Sequence, residues 1–515
     1  MTTAAELGQA YAIEGPALEL GTVVLDGQAF PDARVRMPLS MLTRHGLVAG
    51  ATGTGKTKTL QLMAEQLSTA GIPVFLADVK GDLSGVAAPG ATSARITERA
   101  ADTATDWVPT AFPAEFLALG GLGTGVPVRA TMTSFGPVLL SKVLGLNDTQ
   151  ESSLGLVFHF ADKAGLPLLD LKDLRAVISH LVSDEGKADL KGLGGLSTAT
   201  AGVILRELIG LEDQGGDVFF GEPEFDTADL LRVAPDGRGV MSVMGLAAVQ
   251  DKPRLFSTFL MWLLADLFHD LPEVGDVEQP KLVFFFDEAH LLFDDASEDF
   301  LDAIARTVRL IRSKGVGVFF VTQTPKDVPS EVLAQLGNRV QHALRAFTPD
   351  DAKALKATVS TFPESEAYDL RALLTSMGIG EAAVTILSER GAPTPVAWTR
   401  LRPPASLMAP VDPAVQTTMV AASPLLAEYG QSVDRDSAYE RLLAKVAPPE
   451  QEPARHAPEQ EPDRQPEPDR EGAVARVLGS SVFRSFARSA ASAAGREISR
   501  SLFGTAPRRR RSPRR

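Results

Sequence analysis

The hydrophobic pattern changes period around one glycine-rich stretch early in the chain. Gly46–Ala49 (GLVA) is a short apolar run that ends in GATGTGKT. Beyond it, Leu60, Met63, Ala64 and Leu67 recur at helical spacing, with Gly71 as a stop. Ile72–Ala77 (IPVFLA) then reads as a buried strand closed by Asp78. Strand, glycine loop, helix and strand make a βαβ unit, which predicts a parallel sheet with helical crossovers. Three later runs, Arg238–Val243, Lys281–Phe286 and Val316–Val321, are apolar without alternation, as strands covered on both faces are. Residues 18–36 alternate apolar stretches with Gly and Asp turns and predict a small β element.

These patterns divide the chain. Residues 1–40 form a short N-terminal β element, and 41–87 with 238–400 form an α/β core. Between the two core segments, 88–237 reads as a mostly helical insertion, with helical stretches LVFHFADKAG and LKDLRAVISHLVS and the Gly-rich turn KGLGGLS. Residues 401–446 extend the core. Ala447–Gly472 holds seven Pro and eight acids and reads as a disordered linker. Residues 473–515 carry a basic helix and tail, with Val477, Phe483, Phe486, Ala490, Ile498 and Leu502 at its apolar positions.

Composition sharpens this division. A chain of 515 residues suits two or three domains, and 44% apolar with 23% charged residues is an ordinary globular mixture. The net charge of −14 argues against a nucleic-acid binder until it is split. Arg476–Arg515 has 11 Arg, no Lys and one acid (Glu497), a charge of +10 that leaves −24 on residues 1–475. The tail reads either as an electrostatic arm for DNA or another polyanion, or as a segment that docks on the acidic body. The absence of cysteine excludes disulfides, thiolate nucleophiles and Cys-based metal sites. The N-terminus lacks a basic start followed by an apolar core, and Leu255–Leu271 is interrupted by Asp266. The expectation is a cytoplasmic chain without a membrane span, in which 255–271 is a buried helix.

The candidate chemistry lies at strand ends. Gly50, Ala51, Thr52, Gly53, Thr54, Gly55, Lys56 and Thr57 fit G-x-x-x-x-G-K-[ST], with Lys58 following. The glycines let successive N–H groups face phosphate oxygens, and the helix that follows adds its positive end. Lys56 supplies charge to the β- and γ-phosphates of ATP, and the Thr57 hydroxyl joins a Mg2+ shell. KLVFFFDEAH (Lys281–His290) ends a strand in two acids. Asp287 is expected to hold the Mg2+ water shell and Glu288 to act as general base on the attacking water.

Gln323, in VTQTP, stands where a sensor of the γ-phosphate is expected. Arg306, Arg309 and Arg312 share a helix face, and Arg339 and Arg345 follow. Arg312 is the first choice for a finger reaching a neighbouring subunit's γ-phosphate. Asp78, Lys80 and Asp82 end the second strand, either lining the site or neutralising one another in a turn, and His290 could relay the nucleotide state.

Three segments together, Arg44–Gly85, Gln279–Phe293 and Gln335–Asp351, resemble the HerA-like helicase/translocase ATPases, in a bacterial HerA/FtsK-type branch. The resemblance spans about residues 18–400. It implies a RecA-like P-loop NTPase fold of the additional-strand catalytic glutamate kind, and a homo-oligomeric, hexameric ring with ATP at subunit interfaces. It further implies translocation on DNA or its unwinding, often beside a nuclease partner. Only about 45 residues precede the phosphate loop, short for the β-barrel domain of archaeal members, and no nuclease motif is present. The alternative is a nucleotide-switched regulatory or scaffold ATPase that does not move along DNA.

Overall fold

A computed structural model describes residues 2–446 except 191, 294–296 and 389. The linker 447–472 and the basic segment 473–515 lie outside the described residues. Twelve described strands form one sheet. They are β1 (Ala17–Leu25), β2 (Gln28–Pro38), β3 (Gly46–Ala49), β4 (Val74–Asp78), β5 (Ala114–Leu119) and β6 (Val126–Val128). The rest are β7 (Met241–Gly245), β8 (Leu282–Phe286), β9 (Val316–Thr322), β10 (Asn338–Gln341), β11 (Glu381–Thr385) and β12 (Ala397–Leu401). Their order is β2-β1-β12-β11-β10-β3-β9-β8-β4-β7-β5-β6. Every pairing from β10 to β6 is parallel, and those from β10 out to β2 are antiparallel.

The central parallel strands β3, β4, β8 and β9 are apolar on both faces because both are covered. In β4, Val74 and Leu76 join the large aliphatic cluster that includes Leu60, Met63, Ala64 and Leu67 of the helix Lys56–Thr69. Phe75 points the other way, 5.1 Å from the Phe284 ring and 6.2 Å from Phe259 on the helix Pro253–Asp270. That helix buries Leu255, Phe256, Phe259, Trp262, Leu263 and Leu267, and no described helix is long and apolar enough to cross a membrane.

The N-terminal strands extend the core sheet. β1 and β2 pair as a hairpin, and β1 pairs β12 with Thr22 opposite Arg400. The preceding helix Ala4–Ala10 is tied down where the Tyr11 hydroxyl meets the Val384 carbonyl at 2.7 Å and that of Pro395 at 2.6 Å.

The described residues divide into two compact units, one reaching to Val128 with Phe225–Gly430 and one of Arg129–Glu224 with residues 431–446. The predicted insertion 88–237 therefore differs from the helical unit at both ends. Residues 88–128 add β5 and β6 to the sheet, because β5 pairs β7 in parallel with Phe116 opposite Val243. Residues 225–237 stay with the sheet unit.

The second unit packs helices Met132–Val143, Asp148–Lys163, Leu171–Val182 and Thr198–Leu211 with the returning helix Ala438–Val446. Asp173 joins its segments. Its fully buried carboxylate accepts from the Leu169 N–H at 2.8 Å, the Ser437 hydroxyl at 2.5 Å and the Tyr439 N–H at 2.9 Å. A buried carboxylate needs such donors to be tolerated. Two of the three, Ser437 and Tyr439, come from 431–446, which accounts for the last third of the predicted extension belonging to this unit.

Candidate nucleotide site

Parallel register places the candidate groups at one edge of the sheet. Ala49 at the end of β3 lies opposite Thr322 of β9 and Gln341 of β10. Phe286 of β8 lies opposite Phe320 of β9 and Ala77 of β4. The phosphate loop, Gln323, the acid pair and the Asp78–Asp82 turn thus leave the carboxyl ends of β3, β9, β8 and β4. Ligands of open α/β sheets bind at such edges, where strand order reverses. β9 stands between the loop strand β3 and the acid strand β8, so the sheet has the additional strand of that RecA-like class.

The loop is held on two sides. The Gly50 N–H donates to the Thr322 carbonyl at 3.2 Å and the Ala51 N–H to the Ala343 carbonyl at 2.8 Å. Gly55, at φ 111°, opens the helix Lys56–Thr69 with no side-chain cap, so its first-turn N–H groups face outward at the loop, as an anion site requires. Lys56 is 7% exposed and folds back, its Nζ donating to the Gly50 carbonyl at 2.7 Å and that of Ala51 at 3.3 Å. Burial pushes its pKa down, against the pull of Glu288 and Asp287. A buried ammonium held by carbonyls is suited to exchange them for phosphate oxygens. Thr57 and Lys58 are half-buried in the first turn, and Thr52 and Gly53 are exposed at the loop tip.

His342, which the sequence pattern did not single out, supports this loop. It is fully buried, its Nε2 2.8 Å from the Thr59 hydroxyl. Burial, with the Lys56 charge, pushes its pKa down to about 3, so it stays neutral. A Cβ on Gly50 would lie 2.4 Å from the His342 Cβ. Gly50→Ala is therefore expected to lower stability by about 1–3 kcal/mol through overpacking and to weaken nucleotide binding. Thermal denaturation and nucleotide titration check this, and an unshifted melting temperature counts against it. On the loop's far side the Gly380 N–H donates to the Thr54 carbonyl at 2.9 Å. Arg99 grips that turn from a distant helix, its guanidinium donating to the Gly380 and Ile379 carbonyls at 3.0 and 2.9 Å.

The acid pair is nearly closed to solvent, Asp287 at 1% and Glu288 at 4% exposure. The Glu288 N–H donates to Asp287 Oδ1 at 3.0 Å, whereas Asp287 Oδ2 is buried with no hydrogen-bond partner. Burial and the neighbouring Glu288 charge push the Asp287 pKa up to about 7. An unpaired buried carboxylate oxygen of this kind fits a divalent cation, which would relieve both costs. Among the described residues no cluster of three His, Cys, Asp or Glu could hold an ion. An ion at Asp287 would therefore draw its remaining ligands from elsewhere, water and phosphate oxygens among them.

Glu288 has φ 48°, a left-handed conformation that costs a non-glycine residue roughly 1–3 kcal/mol. The next N–H, of Ala289, donates to the Val321 carbonyl at 2.9 Å and holds the bend against β9. Lys80 bonds Glu288 Oε1, and His290 Nδ1 lies 3.4 Å from Oε2. Burial raises the Glu288 pKa, but the bonded Lys80 ammonium outweighs it and holds the carboxyl below its usual range. Asp78 does not pair with Lys80. Its carboxylate accepts from the Gly81 and Leu83 N–H groups at 2.7 and 3.0 Å and braces the turn. Burial, then the Asp82 charge, raises its pKa to about 6.

Gln323 is exposed just past β9, in a turn where Asp327 accepts from the Thr322 hydroxyl at 2.8 Å and the Thr324 N–H at 3.0 Å. The arginines do not gather here. Arg312 precedes β9, at the opposite edge of the sheet, and pairs with Asp276 at 2.7 Å. Arg339 lies within β10 and donates to the Thr361 hydroxyl at 2.6 Å. Arg306 and Arg309 are on the helix Glu298–Ile311, half-buried and exposed respectively. Arg345 is exposed beyond the carboxyl end of β10, on the loop's own edge.

Solved structures share this fold. The conjugative coupling protein TrwB in its unbound form matches with a TM-score of 0.52 at 16% identity, over 80% of this chain and 94% of that one. TrwB with a non-hydrolysable GTP analogue gives 0.53 at 16% identity over 80% and 95%. TrwB with ADP and Mg2+ gives 0.52 at 17% identity over 79% and 96%. No curated protein matches the sequence. The profile of the family described as "Helicase HerA-like C-terminal" matches residues 24–511, nearly the whole chain. With a phosphate loop and an acid pair set across an additional strand, and a profile matched over that span, the chain belongs to the HerA-like helicase family of P-loop ATPases.

Proposed function

We propose that this protein is a cytoplasmic ATP-hydrolysing motor of the HerA/FtsK kind, which works as an oligomeric ring and moves along or unwinds DNA. The observation that carries ATP hydrolysis is the placing of Lys56, Asp287 and Glu288 at adjoining strand ends across β9. ATP sits in the loop 50–58 with Lys56 on its β- and γ-phosphates. Mg2+, held through Thr57 and Asp287, would neutralise phosphate charge. Glu288 takes a proton from the attacking water, and Gln323, exposed at the same edge, senses the γ-phosphate.

Arg312 stands too far along the sheet to reach this loop in its own subunit. Its part is that of a finger acting on a neighbour's nucleotide, with Arg339 and Arg345 behind it. Family membership supports the DNA substrate, and the likeness to a coupling protein captured with an ATP analogue supports the nucleotide.

Duplex DNA is expected to raise the ATPase rate several-fold at low salt and less at moderate salt, because phosphate contacts weaken as salt rises. Phosphate release measured with and without duplex at both salts tests it. A rate indifferent to DNA at both salts sinks the motor and leaves a nucleotide-switched scaffold.

A further inference from the structure

Lys80 has no part in this scheme, yet it makes the direct charged contact on the proposed base. The two partners differ in freedom. The Glu288 side chain is 5% exposed, its backbone held at φ 48° and its N–H bound to Asp287. The Lys80 side chain is 47% exposed and ends a flexible four-carbon stem on the turn that Asp78 braces. The carboxylate is therefore fixed and the ammonium is the group that can move. While the contact lasts, one carboxylate oxygen is spent on Nζ and the other faces His290. A carboxylate so neutralised is a poor acceptor for a proton from water.

We propose that Lys80 is a latch on Glu288, which holds the carboxylate idle and must swing away before hydrolysis. This rests on Glu288 being the base. Lys80 is a positioning residue here, acting on the reaction through Glu288 and on nucleotide binding hardly at all. Removing it frees the base without touching the phosphate loop.

Lys80→Met is expected to raise basal kcat on the order of fivefold, a small part of the 10²–10⁴-fold that a general base supplies, with KM for ATP within about twofold of the parent. Lys80→Arg keeps the cation and should turn over well below Lys80→Met. In a Glu288→Gln background, Lys80→Met should restore nothing. Steady-state ATPase kinetics of the full-length chain measure the parent and these four variants, Glu288→Gln alone included. A Lys80→Met rate at or below the parent, or a KM that rises with a falling kcat, overturns the latch and makes Lys80 a phosphate ligand or a structural prop. Where Glu288→Gln alone is inactive, the base stands whatever Lys80 does. Where Glu288→Gln turns over normally, base and latch fall together.

Discussion

Lys56→Ala is expected to cost about 3 kcal/mol of nucleotide binding, on the order of a hundredfold in affinity, with ATP turnover lost at ordinary concentrations. The size follows from burial. Nζ is screened from solvent and already donates to the Gly50 and Ala51 carbonyls, so the charge is placed before the ligand arrives. Its loss leaves phosphate charge unmatched in a site where water cannot replace it. Fold stability should change far less, since Nζ serves only two carbonyls of its own loop. Calorimetric titration of a nucleotide beside thermal denaturation separates the effects, and wild-type affinity in the variant removes Lys56 from the site.

Glu288→Gln should act the other way round, retaining ATP while slowing hydrolysis by about 10²–10⁴-fold. Glutamine keeps the shape and the contact to Lys80 but takes no proton from water. The left-handed backbone is unchanged, so the fold should persist. Single-turnover measurements after ATP loading distinguish bound from hydrolysed nucleotide. Turnover near the parent rate would assign the base elsewhere.

Much of this edge was legible in the sequence because each part has a local cause. The glycine spacing of 50–57 and the apolar runs before Asp78 and Asp287 specify loop and strands from neighbouring residues alone. Strands covered on both faces show as unbroken apolar runs, and Phe75, Phe284 and Phe286 bear this out. Ala114–Leu119 (AEFLAL) is composed of good helix formers, and only its pairing with β7 makes it β5. His342 and Arg99 could not be found from sequence either. His342 meets Thr59 across 283 residues, and Arg99 reaches the Gly380 turn beside the loop across 281. A lone buried histidine leaves no local mark of that kind. The tie between Asp173 and Ser437 is of the same sort.

That tie bears on how the chain matures. Each compact unit is built from two stretches that alternate along the sequence, residues up to 128 and 225–430 in one, 129–224 and 431–446 in the other. Neither unit can complete itself while the ribosome is still making the middle of the protein. Asp173 waits 264 residues for Ser437, and the Tyr11 hydroxyl 373 residues for the Val384 carbonyl. At about 5–20 residues per second of synthesis, that is tens of seconds with a carboxylate and a strand edge still unpartnered. Such pairings of high sequence separation close slowly even once the chain is free. The nascent protein is thus exposed to misassembly for as long as it is being made, and its helical unit cannot close until residues 431–446 have emerged.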